Sequence, residues 1–205
     1  MTATTRNLAE LLGSRICHDL ISPIGAIGNG LELLSMSGGA SGPEMALIND
    51  SLTNANTRIR YYRIAYGAAG ENQAVARQEI VSLLSDLTRG SRLKITWHSQ
   101  QDVARRDAKL LFLLIQCCET AMPYGGEIGI QAADDGWHVS ARAQKIKPLD
   151  DLWSLLEGDE NDVQITPAQV QFGLALPALR ESSRKLELNR RDGTILISLS
   201  RRVRP

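Results

Sequence analysis

The chain has 205 residues, of which 43% are hydrophobic, and its 23 lysine and arginine residues balance 23 aspartate and glutamate residues. This length accommodates one large domain or two small ones, and the apolar content is that of a folded chain with a core, which excludes a disordered protein. The zero formal net charge excludes the basic bias of nucleic-acid-binding proteins, so no nucleic-acid partner is expected.

The three cysteines, Cys17, Cys117 and Cys118, lack the spacing of metal ligands. Cys117 and Cys118 adjoin each other in an apolar run, which is typical of buried thiols in a reducing compartment. The N-terminus has no basic segment followed by an apolar one, and no apolar run approaches the ~20 residues that cross a bilayer. These features predict a cytoplasmic protein with no metal site and no membrane partner.

The first half of the sequence predicts two long helices. In the first helix, apolar residues recur at steps of three or four, at Leu8, Leu12, Ile16, Leu20, Ile24, Ile27, Leu31 and Leu34. In the second helix, the steps alternate regularly between three and four, at Met45, Ile48, Leu52, Ala55, Ile59, Tyr62 and Tyr66. Gly38 and Gly39 between them are suited to end a helix. Residues 4–67 are therefore predicted to form a helical hairpin.

A hairpin alone buries only part of apolar stripes this long. Pairing with a second copy of the chain would bury the rest in a four-helix bundle, and the regular second stripe favours this homodimer. The alternative is that the hairpin packs on the C-terminal half of its own chain.

The pattern changes after a glycine-rich segment at residues 67–72, which predicts a hairpin domain of residues 1–70 and a second domain of residues 71–205. In the second domain the pattern predicts helices at 79–88, 107–121 and 167–185, and strands at 92–99, 127–133, 136–143, 186–190 and 194–200. The predicted fold class is α+β, with an antiparallel sheet backed by helices.

His18 lies in the segment ICHDLISP, residues 16–23, of the first predicted helix. At ~100° per residue, it falls about 180° from the centre of the apolar stripe and therefore faces solvent. Its neighbours on that face are small or polar and leave room for another protein to approach the imidazole; they are Ser14, Ser22, Gly25 and Asn29.

The chemistry of this segment suits group transfer. Neutral imidazole is a good nitrogen nucleophile near pH 7. Asp19 could accept a hydrogen bond from the second ring nitrogen, and Ser22 lies one turn further on the same face. We therefore predict catalytic roles for His18, Asp19 and Ser22. The alternative is that His18 is an ordinary solvated surface residue.

Residues 18–23 resemble the phosphoacceptor box of the histidine-kinase superfamily, and the longer stretch of residues 16–34 is similar to the ChpT family of histidine phosphotransferases of alphaproteobacteria. This resemblance implies that the hairpin is a dimerisation and histidine-phosphotransfer domain. It also implies that the C-terminal half is an α/β sandwich related to the ATP-binding domain of the kinases.

The kinase domain implied by the resemblance has lost its nucleotide-binding residues. The two asparagines of its asparagine box, one a magnesium ligand, would fall at Gln116 and Thr120. Residues 143–151, where an Asp-x-Gly-x-Gly motif is expected, contain no glycine, and the second glycine box keeps only Gly173. Without these backbone donors and this ligand, we expect no bound ATP and no cofactor.

The main hypothesis is a histidine phosphotransferase. His18 would take a phosphoryl group from the aspartyl phosphate of one receiver domain and pass it to the receiver aspartate of a response regulator. The resemblance implies that the first receiver belongs to a hybrid histidine kinase. Mg²⁺ would be held by the receiver. The resemblance also implies that the degenerate domain helps to bind the receiver. The expected docking residues are Ser14, Arg15, Ser22 and Gly25. The alternatives are an ATP-dependent sensor kinase with an aberrant pocket and a non-catalytic dimeric scaffold for response regulators.

Overall fold

The structure is a computed structural model that describes residues 3–37, 42–70, 72–158 and 163–201. Helices α1 (Ala3–Ser37) and α2 (Pro43–Ala65) form the predicted hairpin. Pro43 occupies the first turn of α2, where its fixed φ suits a helix and no N–H is needed. The predicted turn residues Gly38 and Gly39 lie outside the described residues.

The rest of the chain forms an α/β unit with one main sheet. Its elements in chain order are β1 (Ala74–Val75), α3 (Arg77–Thr88), β2 (Leu93–Trp97), β3 (Val103–Ala104), α4 (Arg105–Ala121), β4 (Gly126–Ala133), β5 (Gly136–Arg142), α5 (Asp150–Glu157), the 3₁₀ turn Pro167–Gln169, α6 (Val170–Ser182), β6 (Arg184–Arg191) and β7 (Thr194–Arg201). The main sheet has the strand order β2-β4-β5-β7-β6, and β1 pairs with β3. The α+β class is confirmed.

The prediction of an antiparallel sheet is wrong for one strand pair. β2 and β4 run parallel, with Leu93 opposite Gly126 and Trp97 opposite Ile130. A parallel pair needs a crossover connection, which α4 provides here. The remaining pairs of this sheet are antiparallel, as predicted.

Two further differences lie near the C-terminus. The predicted helix 167–185 begins as a 3₁₀ turn and ends at Ser182, because Ser183 adopts φ of 55° and β6 begins at the next residue. The sequence prediction missed α5, a helix of eight residues.

A continuous hydrophobic core joins the hairpin to the α/β unit. α4 lies at its centre and is buried on nearly every side, with Cys117 and Cys118 among its buried residues as predicted. Tyr61, Ile64 and Ala65, at the end of α2, belong to the same core. The end of the hairpin is therefore packed against the domain that follows it, and the boundary at residue 70 stays a prediction.

The hairpin keeps exposed large apolar side chains, at Ile21, Ile24, Leu31, Leu33 and Met36 of α1 and at Leu47, Leu52 and Ile59 of α2. Ile24 and Leu31 are seven residues apart and share one face of α1, as Leu52 and Ile59 share one face of α2; we call these four residues the apolar stripe. The predicted seam of α2 is therefore divided: Leu52 and Ile59 face outward, whereas Tyr62 and Tyr66 pack against the core. Within the described parts of the chain, no helix combines the length and hydropathy of a membrane span.

Candidate active site

His18 projects from α1 into solvent, with 85% of its side chain exposed. Ser14, Ser22 and Gly25 are exposed on the same face, as the helical periodicity predicts. The Nδ1 atom of His18 lies 3.1 Å from Oδ1 of Asp19. One ring nitrogen is thus engaged within the chain, while the exposed ring leaves Nε2 accessible to another molecule.

Asp19 is the residue at which the polar contacts of this site converge. Only 9% of its side chain is exposed. Its Oδ2 atom accepts hydrogen bonds from Nε of Arg15, at 2.6 Å, and from the hydroxyl of Tyr62 on α2. Nη1 of Arg58, also on α2, lies 3.8 Å from the same oxygen. The two carboxylate oxygens therefore have separate contacts: Oδ2 is held by the hairpin, and Oδ1 faces His18.

These contacts determine the protonation of the site. Burial raises the pKa of Asp19, but hydrogen bonds from Tyr62, Arg15 and His18 outweigh burial and leave this pKa below its ordinary value. Burial, together with Asp19, raises the pKa of Tyr62 to about 12, so its hydroxyl remains a donor. An ionised Asp19 can only accept a hydrogen bond, which places the imidazole proton on Nδ1 and the lone pair on Nε2.

A cavity of about 320 Å³ lies beside His18, between α1 and α2. On α1 it reaches Ser22 and the buried Pro23; on α2 its walls are Asp50, Ser51, Asn54 and Arg58. α1 continues through Pro23, which has no N–H to donate to the carbonyl of Asp19. This polar groove brings the predicted residue Ser22 next to α2 residues that the sequence did not reveal.

Arg15 lies in a different environment from the one expected of a docking residue. Its side chain is 22% exposed, and besides Asp19 its guanidinium contacts the carbonyl oxygen of Ala168, where Nη1 lies 3.1 Å from the oxygen. The guanidinium therefore joins α1 to the 3₁₀ turn of the C-terminal domain. The predicted role of Arg15 in partner binding stays a prediction.

Gln116 and Thr120, the positions expected to have lost nucleotide-binding asparagines, make contacts within the chain. The hydroxyl of Tyr66 donates to Oε1 of Gln116 at 2.6 Å. Nε2 of Gln171 on α6 donates to Oγ1 of Thr120 at 2.6 Å and to the carbonyl of Ala168 at 3.1 Å. Gln116 and Gln171 are 4% and 0% exposed. The hydrogen bonds of Gln116 and Thr120 thus connect α4 to the C-terminal end of α2 and to α6.

Side chains also fill the space around α6. Trp153 of α5 is fully buried and meets Phe172 edge-on, with ring centroids 5.1 Å apart. A Cβ added at Gly173 would lie 2.6 Å from Leu8 and 2.9 Å from Ile165. Gly173 therefore gives the first helix room to approach α6. Among the described residues, no cluster of three histidine, cysteine or carboxylate side chains could hold a metal ion.

An exposed helical histidine, backed by a largely buried carboxylate and carried on a hairpin that precedes an α/β unit, is the arrangement expected of a histidine phosphotransfer protein. The family model described as the histidine phosphotransferase C-terminal domain matches residues 77–194, over half of the chain. The chain belongs to this histidine phosphotransferase family, and it is an enzyme of the phosphotransferase class.

Two relatives match along nearly the whole chain. The chain is 30% identical over 204 residues to the protein phosphotransferase ChpT of Brucella abortus (strain 2308), a match that covers 97% of each protein. It is also similar to a solved structure of a bacterial phosphotransferase, with a TM-score of 0.77, 30% identity and 98% of each chain covered. The resemblance predicted from residues 16–34 is thus confirmed.

Sequence reasoning missed the α2 side of the site, which includes Tyr62 and Arg58 as well as the groove residues Asp50, Ser51 and Asn54. Tyr62 was expected on the apolar seam of α2, where its spacing places it. The signal that could have identified it is its hydroxyl, because a buried tyrosine hydroxyl usually finds a hydrogen-bond partner.

Proposed function

We propose that this protein relays a phosphoryl group between the aspartates of two receiver domains in a two-component phosphorelay, with His18 as the carrier. The observation that carries the proposal is the orientation of this side chain: Nδ1 is held by Asp19 while the ring is exposed. The nucleophilic Nε2 is therefore presented to another protein.

The transfer balances without an external proton acceptor. The lone pair on Nε2 attacks the phosphorus of an aspartyl phosphate, an N–P bond forms, and the P–O bond to the aspartate breaks with its electrons leaving on the carboxylate. The positive charge then carried by the ring is stabilised by the adjacent Asp19 carboxylate. In the second transfer, the carboxylate of another receiver attacks phosphorus, and the N–P electrons return to Nε2.

The surface around His18 supports receiver docking. Ser14, Ser22 and Gly25 are small and exposed, so a receiver can approach closely enough for its aspartate to reach the ring. The groove beside them is lined by Asp50 and Asn54 of α2, among other residues, and offers polar contacts to the incoming surface. Mg²⁺ bound in the receiver would neutralise the charge of the phosphoryl oxygens. The two receivers would belong to a hybrid histidine kinase and a response regulator in the cytoplasm.

A homodimer would cover the apolar stripe. Large contiguous apolar surfaces on soluble proteins mark interaction sites. The stripe has members on both helices, so a second hairpin packed against it would complete a four-helix bundle. His18 lies on another face of α1 and would stay accessible in that dimer.

The C-terminal domain would then act without ATP. Trp153 of α5 packs against Phe172 of α6, and Leu8 occupies the space at Gly173. Gln116 and Thr120 are hydrogen-bonded within the chain. Phosphate binding by backbone amides needs open, glycine-rich turns. These contacts support a protein that receives its phosphoryl group from another protein.

The experiment mixes the purified protein with a receiver domain that carries a labelled aspartyl phosphate, in Mg²⁺ buffer without ATP. Label should reach wild type and His138→Ala, a control on an exposed strand position, but not His18→Ala. Labelled ATP without a receiver should leave all three proteins unlabelled.

Transfer to His18→Ala would overturn the proposal. Labelling from ATP alone would also overturn it and would indicate a kinase. Receiver binding without transfer to any of the three proteins would overturn it as well and would indicate a scaffold.

A further inference from the structure

The contacts of Asp19 continue from the hairpin into the C-terminal domain along two paths. On one path, Tyr62 donates to Oδ2 of Asp19 and stacks on Tyr66, with ring centroids 5.1 Å apart and planes inclined by 24°. Tyr66 in turn donates to the buried Gln116 of α4. The orientation of the Tyr62 ring is therefore fixed by a residue whose own hydroxyl is held by the C-terminal domain.

The second path runs through Arg15. Its Nε contacts Oδ2 of Asp19, and its Nη1 contacts the carbonyl of Ala168. That same carbonyl accepts from Gln171, whose amide also donates to Thr120 of α4. Both paths start at the same carboxylate oxygen and end on the same helix, α4.

The two oxygens of the Asp19 carboxylate have different partners, and the two paths therefore affect His18. A carboxylate held at Oδ2 by two donors cannot rotate freely, so Oδ1 stays directed at Nδ1 of the imidazole. When one ring nitrogen is fixed as the hydrogen-bond donor, the other nitrogen carries the lone pair and the orientation of the ring is set. The same holds for metal-binding and catalytic histidines that have a carboxylate partner.

We propose that Tyr62 and Arg15 are positioning residues for phosphoryl transfer, which hold Asp19 so that Nε2 of His18 is the nucleophile, and that the C-terminal domain braces them through Gln116 and Ala168. This inference rests on the proposed function. It gives the C-terminal domain an effect on the transfer step itself, separate from contacts with a receiver.

The test compares Tyr62→Phe with Tyr61→Phe. Both changes remove one hydroxyl from adjacent positions of α2, but the hydroxyl of Tyr61 donates to the carbonyl of Phe112, at 2.7 Å and away from Asp19. Two quantities are measured for each full-length protein: the transfer rate from a phosphorylated receiver as its concentration is varied, and the His18 tautomer by ¹⁵N NMR of histidine-labelled protein.

Tyr62→Phe should slow transfer at saturating receiver by about tenfold, the effect of losing one hydrogen bond to a charged group, without changing the half-saturating concentration. Its NMR spectrum should show a smaller fraction of the tautomer with the proton on Nδ1. Tyr61→Phe should match wild type in both measurements. Arg15→Gln should behave like Tyr62→Phe, and it keeps the test available should Tyr62→Phe fail to fold.

A Tyr62→Phe protein with wild-type rate and tautomer would overturn the inference. A change confined to the half-saturating concentration would also overturn it, because it would indicate a docking role. His18→Ala is measured alongside: if it still transfers phosphate, the proposed function fails, whereas if it is inactive and Tyr62→Phe is unaffected, only this inference fails.

Discussion

The hydroxyl of Tyr62 on α2 donates a hydrogen bond to the carboxylate of Asp19 on α1, the residue that follows His18 in sequence. The two residues are 43 positions apart and meet only because the hairpin brings the helices together. Asp19 is therefore both a contact between the helices and the partner of the proposed phosphate carrier.

Replacing Asp19 by asparagine should impair both of these roles. The neutral amide no longer stabilises the charged ring, so we expect phosphoryl transfer to fall by about tenfold to a hundredfold. The substitution also leaves Arg15 and Arg58 without their anionic partner, which should lower the free energy of unfolding by about 1–3 kcal/mol.

The measurements for this variant are transfer kinetics and chemical denaturation, with Asp134→Asn as the control. Asp134 is exposed in the turn between β4 and β5, so the same chemical change there should leave both quantities unchanged. An Asp19→Asn protein that transfers at the wild-type rate would contradict the assigned role.

The position of His18 could be predicted from the sequence because it depends on the geometry of one helix. Its angular separation from the apolar residues that recur along α1 at steps of three or four needs no tertiary information. The Tyr62–Asp19 contact could not be predicted, since it depends on the relative register of two helices. α5 was missed because eight residues give a weak periodic signal, and its first turn follows Leu149, a non-glycine residue with φ of 47°.

The contribution of Asp19 to stability should depend on pH. Its pKa is lower in the folded protein than the value of about 3.9 in an unfolded chain. Folding therefore favours the ionised form, and this contribution is complete above about pH 5 and lost as the pH falls through the lowered pKa. The difference in unfolding free energy between wild type and Asp19→Asn should be larger at pH 6 than at pH 3. Equal differences, measured by urea titration at the two pH values, would show that Asp19 is not held as an anion.

Gly173 should tolerate alanine better than valine. An added Cβ meets the flexible ends of Leu8 and Ile165, and the gain in helix propensity offsets part of this crowding. Valine adds volume to a packed contact and should lower the free energy of unfolding by about 1–3 kcal/mol. Thermal or chemical denaturation measures the effect.

The same position tests whether Gly173 accommodates the first helix. Leu8→Ala removes the closest neighbour, so the cost of Gly173→Val should be smaller in the Leu8→Ala background than in wild type. Additive effects in this double-mutant cycle would show that the glycine does not serve the contact between α1 and α6.

The apolar stripe should be the dimer interface. Charging its α2 residues with Leu52→Glu and Ile59→Glu should convert a species of twice the chain mass into one of single mass, as measured by sedimentation equilibrium or light scattering. Leu196→Glu is the matched control, because Leu196 is an exposed leucine on β7, away from the hairpin. A double variant that keeps the wild-type mass would place the interface elsewhere.

The most direct measurement locates the phosphoryl group after transfer from a labelled receiver. Peptide mapping under alkaline conditions, combined with ³¹P–¹⁵N NMR of the intact protein, should find one phosphoryl group on Nε2 of His18. Phosphate on Nδ1 would contradict the tautomer that Asp19 imposes, and phosphate on any other residue would contradict the assignment of His18 as the carrier.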